Sequence, residues 1–202
     1  MPRKRRPLDR ISAVRDAKLM IVATEDTKAT VKYFEDFVSA KYYPSTKVQV
    51  KILSPIENKS APEHILNLID EFQKEYQYGE DDEFWLVIDV DDWRDRKLSK
   101  IVSIANQKKV KLAVSNPAIE IWFLAHLTDL SLYSDQDKER LLLNKRVTKS
   151  TSSRHAIDQE LLNIMGEYKK ANLNSDRLLP HVSHAIHQAK KLDIEPKNRW
   201  PQ

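Results

Sequence analysis

Up to Ser115 the apolar positions alternate between strand-like runs and helix-like spacing. Lys18–Ala23 is nearly all apolar and fits a central strand. Thr27 to Lys41 then carries Val31, Phe34, Phe37 and Val38 near helical spacing. Val48-Gln49-Val50-Lys51-Ile52-Leu53 alternates like a strand with one exposed face. Pro62 opens a helix bearing Ile65, Leu66, Leu68, Ile69 and Phe72, in line with the tolerance of proline in a first helical turn. Phe84-Trp85-Leu86-Val87-Ile88 is the most apolar run of the chain. Leu98, Ile101, Val102, Ile104 and Ala105 mark a third helix, and Val110–Val114 a fourth strand. Beyond Ser115 the pattern is wholly helical, with segments at Pro117–Leu127, Asp135–Leu143, Arg154–Lys169 and His181–Leu192.

This order predicts an α/β fold: a mainly parallel four-stranded sheet flanked by helices, followed by a helical extension. The boundaries implied are a basic tail over 1–17, an α/β domain over 18–130 and the extension over 131–202. Crossovers in such sheets are right-handed. Ligands bind beyond the carboxyl ends of the strands, where neighbouring strands send their helices to opposite faces. If the first and third strands are neighbours, as in flavodoxin-like orders, the residues at their carboxyl ends converge there.

Those residues are acidic. Glu25 and Asp26 come after the first strand, and Asp89-Val90-Asp91-Asp92 after the third. Carboxylates gathered at strand ends are costly to keep ionised unless positive charge sits among them. A divalent metal supplies it, because Mg²⁺ prefers oxygen ligands and is held by one or two carboxylates plus water and phosphate. Asp89 and Asp91 are two apart, so on an extended strand both carboxylates point to one face. Asp92 points elsewhere or caps the helix after Trp93-Arg94. The alternative is that all of these are ordinary loop and cap residues, where Asp is common. Glu25 is a metal ligand, a general acid or base, or a solvated loop carboxylate.

Ser115-Asn116-Pro117 leads into Ala118-Ile119-Glu120-Ile121-Trp122-Phe123-Leu124-Ala125-His126. Asn116 as N-cap with Pro117 at the first helical position accounts for the start. Glu120 then lies in the first turn, on the same edge as the acidic clusters. It is either a fourth acidic site residue or a complement to the helix dipole. Trp122 and His126 share a helix face, and a histidine packed beside an aromatic ring is more often structural than catalytic. His181, His184 and His187 recur every three residues, as a line that can touch phosphate or metal or simply face solvent.

Composition narrows the chemistry. The 202 residues are 41% hydrophobic and 32% charged, which suits a globular core with a well-solvated surface. Glycine occurs only at Gly79 and Gly166, so neither a P-loop nor a dinucleotide fingerprint can be built. No cysteine is present, which excludes disulfides, zinc–thiolate sites and thiol nucleophiles. No apolar core of a secretory signal follows the basic start, and no stretch approaches a membrane span, so a cytoplasmic protein is expected. The net charge of +4 is mildly basic. Its distribution is more telling: Arg3 to Arg10, then Lys145, Arg146, Lys149 and Arg154, then Lys190 to Arg199. Such patches are solvated surface or contacts to nucleic-acid backbone.

Three blocks resemble the RloB family, whose members carry a Toprim-like catalytic domain. Ile21-Val22-Ala23-Thr24-Glu25-Asp26-Thr27-Lys28, running on to Tyr33-Phe34, is similar to the family's first strand and Glu block. Trp85 through Asp92 resembles its strand ending in Asp-X-Asp-Asp. Ser115-Asn116-Pro117 with Glu120, Trp122, Leu124 and His126 resembles its third block. The resemblance implies a Toprim-like fold in which Glu25, Asp89 and Asp91 are catalytic and hold Mg²⁺ or Mn²⁺; Asp92 and Glu120, by their place at the same edge, are further candidate ligands. It implies a nuclease effector of prokaryotic anti-phage defence (abortive infection), working with an ABC/AAA-type ATPase partner. Two positions depart from the family pattern. Asp26 replaces a glycine, and Thr30 stands where a second Glu is frequent.

The leading expectation is therefore a metal-dependent nuclease acting on DNA or RNA, with Lys28 steadying phosphate and Lys145, Arg146, Lys149 and Arg154 binding the backbone. The alternatives are a non-catalytic nucleic-acid-binding or regulatory subunit of an ATPase-containing complex, and an enzyme acting on nucleotides or small phosphoesters.

Overall fold

The computed structural model describes residues 17–39, 41–43, 45–55, 62–76, 78–90, 95–147 and 154–192. Four strands, β1 (Lys18–Thr24), β2 (Val48–Leu53), β3 (Glu83–Asp89) and β4 (Val110–Ser115), form one sheet in the order β2-β1-β3-β4. Every pairing is parallel. The described helices are α1 (Ala29–Phe37), α2 (Pro62–Glu75), α3 (Asp95–Gln107), α4 (Glu120–Leu127), α5 (Asp135–Leu143), α6 (Ala156–Met165) and α7 (Val182–Leu192). The α/β fold, the parallel sheet and the helical C-terminal part are as the pattern predicts. No described helix is long and apolar enough to cross a membrane.

The period-two alternation of the strands divides the core between the two faces of the sheet. Leu19, Ile21 and Ala23 of β1 and Phe84, Leu86 and Ile88 of β3 pack with α2 and α3. Val22 and Val87 point the other way, against α1, α4, α5, α6 and α7. Because β1 and β3 are covered on both sides, they need apolar residues at nearly every position. β2 is an edge strand, which is why its alternation leaves Gln49 and Lys51 exposed. Each fully buried Ile or Leu contributes about 1.5–3 kcal/mol. On the second face the largest fully buried side chain is Phe123 of α4, packed in one cluster with Ile157 and Leu161 of α6. The C-terminal helices thus share a core with the sheet.

α1 leaves β1 on one face, whereas α3 leaves β3 on the other. β1 and β3 are neighbours, so the switch point falls between their carboxyl ends.

Several helix limits differ from the periodic pattern. α4 begins at Glu120, not Pro117, because the carbonyls of Ser115 and Pro117 both accept from the Val90 backbone N–H at 3.0 Å. That bonding turns Pro117 toward β3 and defers the helix. α6 stops at Met165, short of Lys169. Gly166 adopts φ +75°, the left-handed conformation that ends helices. Short 3-10 turns at Lys170–Asn172, Ser175–Arg177 and Leu179–His181 then carry the chain to α7.

Candidate functional site

Glu25 directly follows β1, and Asp89 is the last residue of β3. Parallel register pairs Thr24 with Val87, and the Glu25 backbone N–H donates to the Val87 carbonyl at 3.3 Å. That bond fixes Glu25 beside the end of β3, two residues before Asp89. Both residues are half-buried, and Oε2 of Glu25 is buried. Asp89 pairs with Ser115 of β4 and continues the face of Trp85 and Val87, the one covered by α1 and α4. The adjacency expected from topology is therefore present for the backbone positions of these two residues, at the carboxyl ends of neighbouring strands. Asp91, Asp92, Trp93 and Arg94 lie outside the described residues, as do Lys149, the basic segment before residue 17 and the residues after Leu192.

Asp26 has a local task. Its Oδ1 accepts from the Lys28 backbone N–H (3.0 Å) and its Oδ2 from that of Thr30 (2.7 Å). These are orphan donors at the start of α1, which a carboxylate caps well. The Thr24 hydroxyl donates to the Asp26 carbonyl at 2.6 Å, closing the turn. Asp26 is not among the described residues with left-handed backbone. The position therefore does not demand glycine, and Asp26 leaves the turn intact. Lys28 is exposed at the mouth of the same turn.

Glu120 stands at the edge as expected, but with a partner that local spacing does not reveal. Its side chain is only 2% exposed. Lys170 Nζ lies 2.6 Å from its Oε1, and the Tyr168 hydroxyl donates to the same oxygen at 3.3 Å. Lys170 also faces Asp158 of α6 at 3.9 Å. Burial opposes the charge on Lys170, but the Glu120, Asp158 and Asp89 carboxylates outweigh it and raise its pKa. Burial first, and the neighbouring carboxylates second, push the Tyr168 hydroxyl well up, so it remains a donor. The cation required among clustered carboxylates is thus partly supplied by the protein itself. Gly166 was the one signal available: ending α6 there frees the segment with Tyr168 and Lys170 from the helix.

The basic stretch behind α5 adjoins this edge. Arg146 pairs with His155 in an antiparallel bridge, and the Val147 N–H donates to the Arg154 carbonyl at 2.8 Å. The His155 backbone N–H donates to Asp158 at 3.4 Å, the carboxylate that faces Lys170. Lys145 and Arg146 are exposed and Arg154 half-buried.

His126 is structural. It is 2% exposed. Its Nδ1 lies 2.8 Å from the Trp122 carbonyl, which can only accept, so Nδ1 carries the proton. Nε2, 3.0 Å from the Tyr33 hydroxyl, therefore accepts from it. The ring meets Trp122 edge-on at 4.9 Å. The bond from Tyr33 ties α4 to α1, the helix that begins just after Glu25. His181, His184 and His187 are all exposed on or beside α7.

Among the described residues no three His, Asp or Glu side chains are gathered closely enough to hold a metal ion. Glu25 and Asp89 supply two oxygen donors. That is the chemistry Mg²⁺ takes when water and substrate phosphate complete its shell.

Fold and edge together define a parallel α/β protein with carboxylates at its topological switch point. The chain belongs to the RloB-like protein family, whose model matches residues 20–202. No curated protein and no solved structure matches it.

Proposed function

We propose that the protein is a metal-dependent nuclease that hydrolyses phosphodiester bonds of DNA or RNA at the carboxyl edge of β1 and β3. One observation supports this reading: β1 and β3 are parallel neighbours, so the chain reaches Glu25 and Asp89 at adjoining carboxyl ends, at the switch point. Glu25 and Asp89 would hold Mg²⁺ or Mn²⁺, with Asp91 and Asp92 next on the chain. When bound, the ion supplies a polarised water and charge neutralisation at the phosphate. Glu25, half-buried, would exchange a proton with the attacking or leaving oxygen. Lys28 and the Lys145–Arg154 stretch supply the backbone contacts of a polyanionic substrate. A role in anti-phage defence beside an ATPase partner is proposed with it, on the resemblance of the three sequence blocks to the RloB family.

The test is cleavage of labelled DNA and RNA panels by the purified chain with Mg²⁺ or Mn²⁺. Asp89→Ala and Glu25→Ala are each expected to lower the rate by at least about 100-fold. Equal rates in both variants and wild type would refute the assignment. The engagement of Glu120 by Lys170 favours a second reading, a nucleic-acid-binding subunit without turnover. Metal-dependent turnover by the isolated chain excludes it.

A further inference from the structure

We infer that Glu120 is not a metal ligand but, with Asp158, the anchor for Lys170, whose ammonium binds the substrate phosphate. The inference rests on the reading of this edge as a phosphodiester site. Three features carry it.

The first is the asymmetry of the ion pair. The Glu120 side chain is 2% exposed and that of Asp158 12%, whereas that of Lys170 is 48% exposed. The carboxylates lie beneath and the ammonium lies on top. A pair built only for stability would gain little from this arrangement, since half-solvated ion pairs contribute modestly. The second is donor supply. An ammonium has three N–H groups. The contact to Glu120 at 2.6 Å and the longer approach to Asp158 at 3.9 Å engage at most two. Among the described residues that leaves one N–H for a ligand oxygen. The third is placement. Glu120 opens α4 directly beyond β4, and β4 pairs with β3 through Asp89 and Ser115. The Lys170 ammonium is near enough to Asp89 for that carboxylate to act on its charge.

A phosphodiester entering this edge meets several carboxylates that repel it. A fixed cation offsets that repulsion and needs no reorganisation as charge grows on the phosphate oxygens. Tyr168, donating to the same Glu120 oxygen at 3.3 Å, holds the anchor in place.

The experiment uses the full chain and 5′-fluorescein-labelled single-stranded DNA and RNA oligonucleotides. Binding is followed by anisotropy across a salt series with Ca²⁺, and turnover with Mg²⁺. Lys170→Met is expected to flatten the slope of log affinity against log salt by about 0.7, the loss of one phosphate contact. Lys170→Arg is expected to restore it. Glu120→Gln should loosen the hold on Lys170 and weaken oligonucleotide affinity severalfold, while leaving the Mg²⁺ concentration for half-maximal turnover unchanged. Should Lys170→Met fail to fold, the double variant Glu120→Gln/Lys170→Met removes both charges and is read the same way. A folded Lys170 variant with the wild-type slope overturns the inference. So does a Glu120→Gln chain that needs severalfold more Mg²⁺. A wild-type chain that binds oligonucleotides without cleaving them defeats the nuclease reading alone, and one that binds none defeats both.

Discussion

His126 gives the most quantitative handle on this structure, because its burial links folding to pH. Desolvation, with the nearby charges of His181 and His184 as lesser contributions, lowers its pKa from 6.5 to about 4 despite the bond to the Trp122 carbonyl. The unfolded chain therefore takes up a proton at this residue first as pH falls. Its contribution to stability is complete above pH 6.5 and is lost progressively toward pH 4. Between pH 7 and pH 5 the loss is about 2 kcal/mol from this one residue. Urea unfolding of wild type and His126→Gln at pH 7, 6 and 5 checks it. Other titrating groups are common to both proteins, His181 and His184 included. The wild type should lose about 2 kcal/mol more than the variant over that range. Parallel losses would refute the claim that His126 is buried and neutral. Cleavage supplies a second readout. A folded His126→Gln chain should keep near-wild-type turnover at neutral pH, since the ring bonds Tyr33 and Trp122 and not the acidic edge. Lost turnover with retained stability would make His126 catalytic.

Two further outcomes are expected from the contacts. Asp26→Ala should destabilise the chain by about 1 kcal/mol by uncapping α1, and Asp26→Asn by less; thermal melts measure both. Glu83, at the opposite end of the sheet, is bonded by Lys111, Lys18 and Trp85, in that order of effect, and its pKa falls to about 2. Its folded pKa is depressed, so its stabilisation is present above about pH 4.5 and is lost as pH falls toward 2. Glu83→Gln should show a smaller loss of melting temperature between pH 6 and pH 3 than wild type.

Much of this protein was legible in the residues alone. Strand positions in β1 and β3 are apolar throughout because both faces are covered, and that pattern is local. The β–α alternation then implied a parallel sheet, and the acidic residues were readable as lying just after the first and third strands. Asp26 was visible as a departure, but not as a cap, because that depends on where the Lys28 and Thr30 N–H groups point. Helix limits that hinge on backbone bonding, such as the late start of α4 after Pro117, were also hidden.

The tertiary structure alone decided who meets whom. The adjacency of β1 and β3 is a matter of strand order, which no local pattern encodes. The Lys170–Glu120 pair joins residues fifty positions apart in sequence, and Lys170 sits in a segment with no periodicity of its own. Its place depends on the packing of α6 and the turns behind it onto the sheet face. The sequence by itself determined the elements and the carboxylates at their ends, because hydrophobic period and residue type act within a few residues. The three-dimensional fold decided that a lysine from the far end of the chain would share their edge. Burying Glu120 requires a counter-ion, and only the packed chain could bring one.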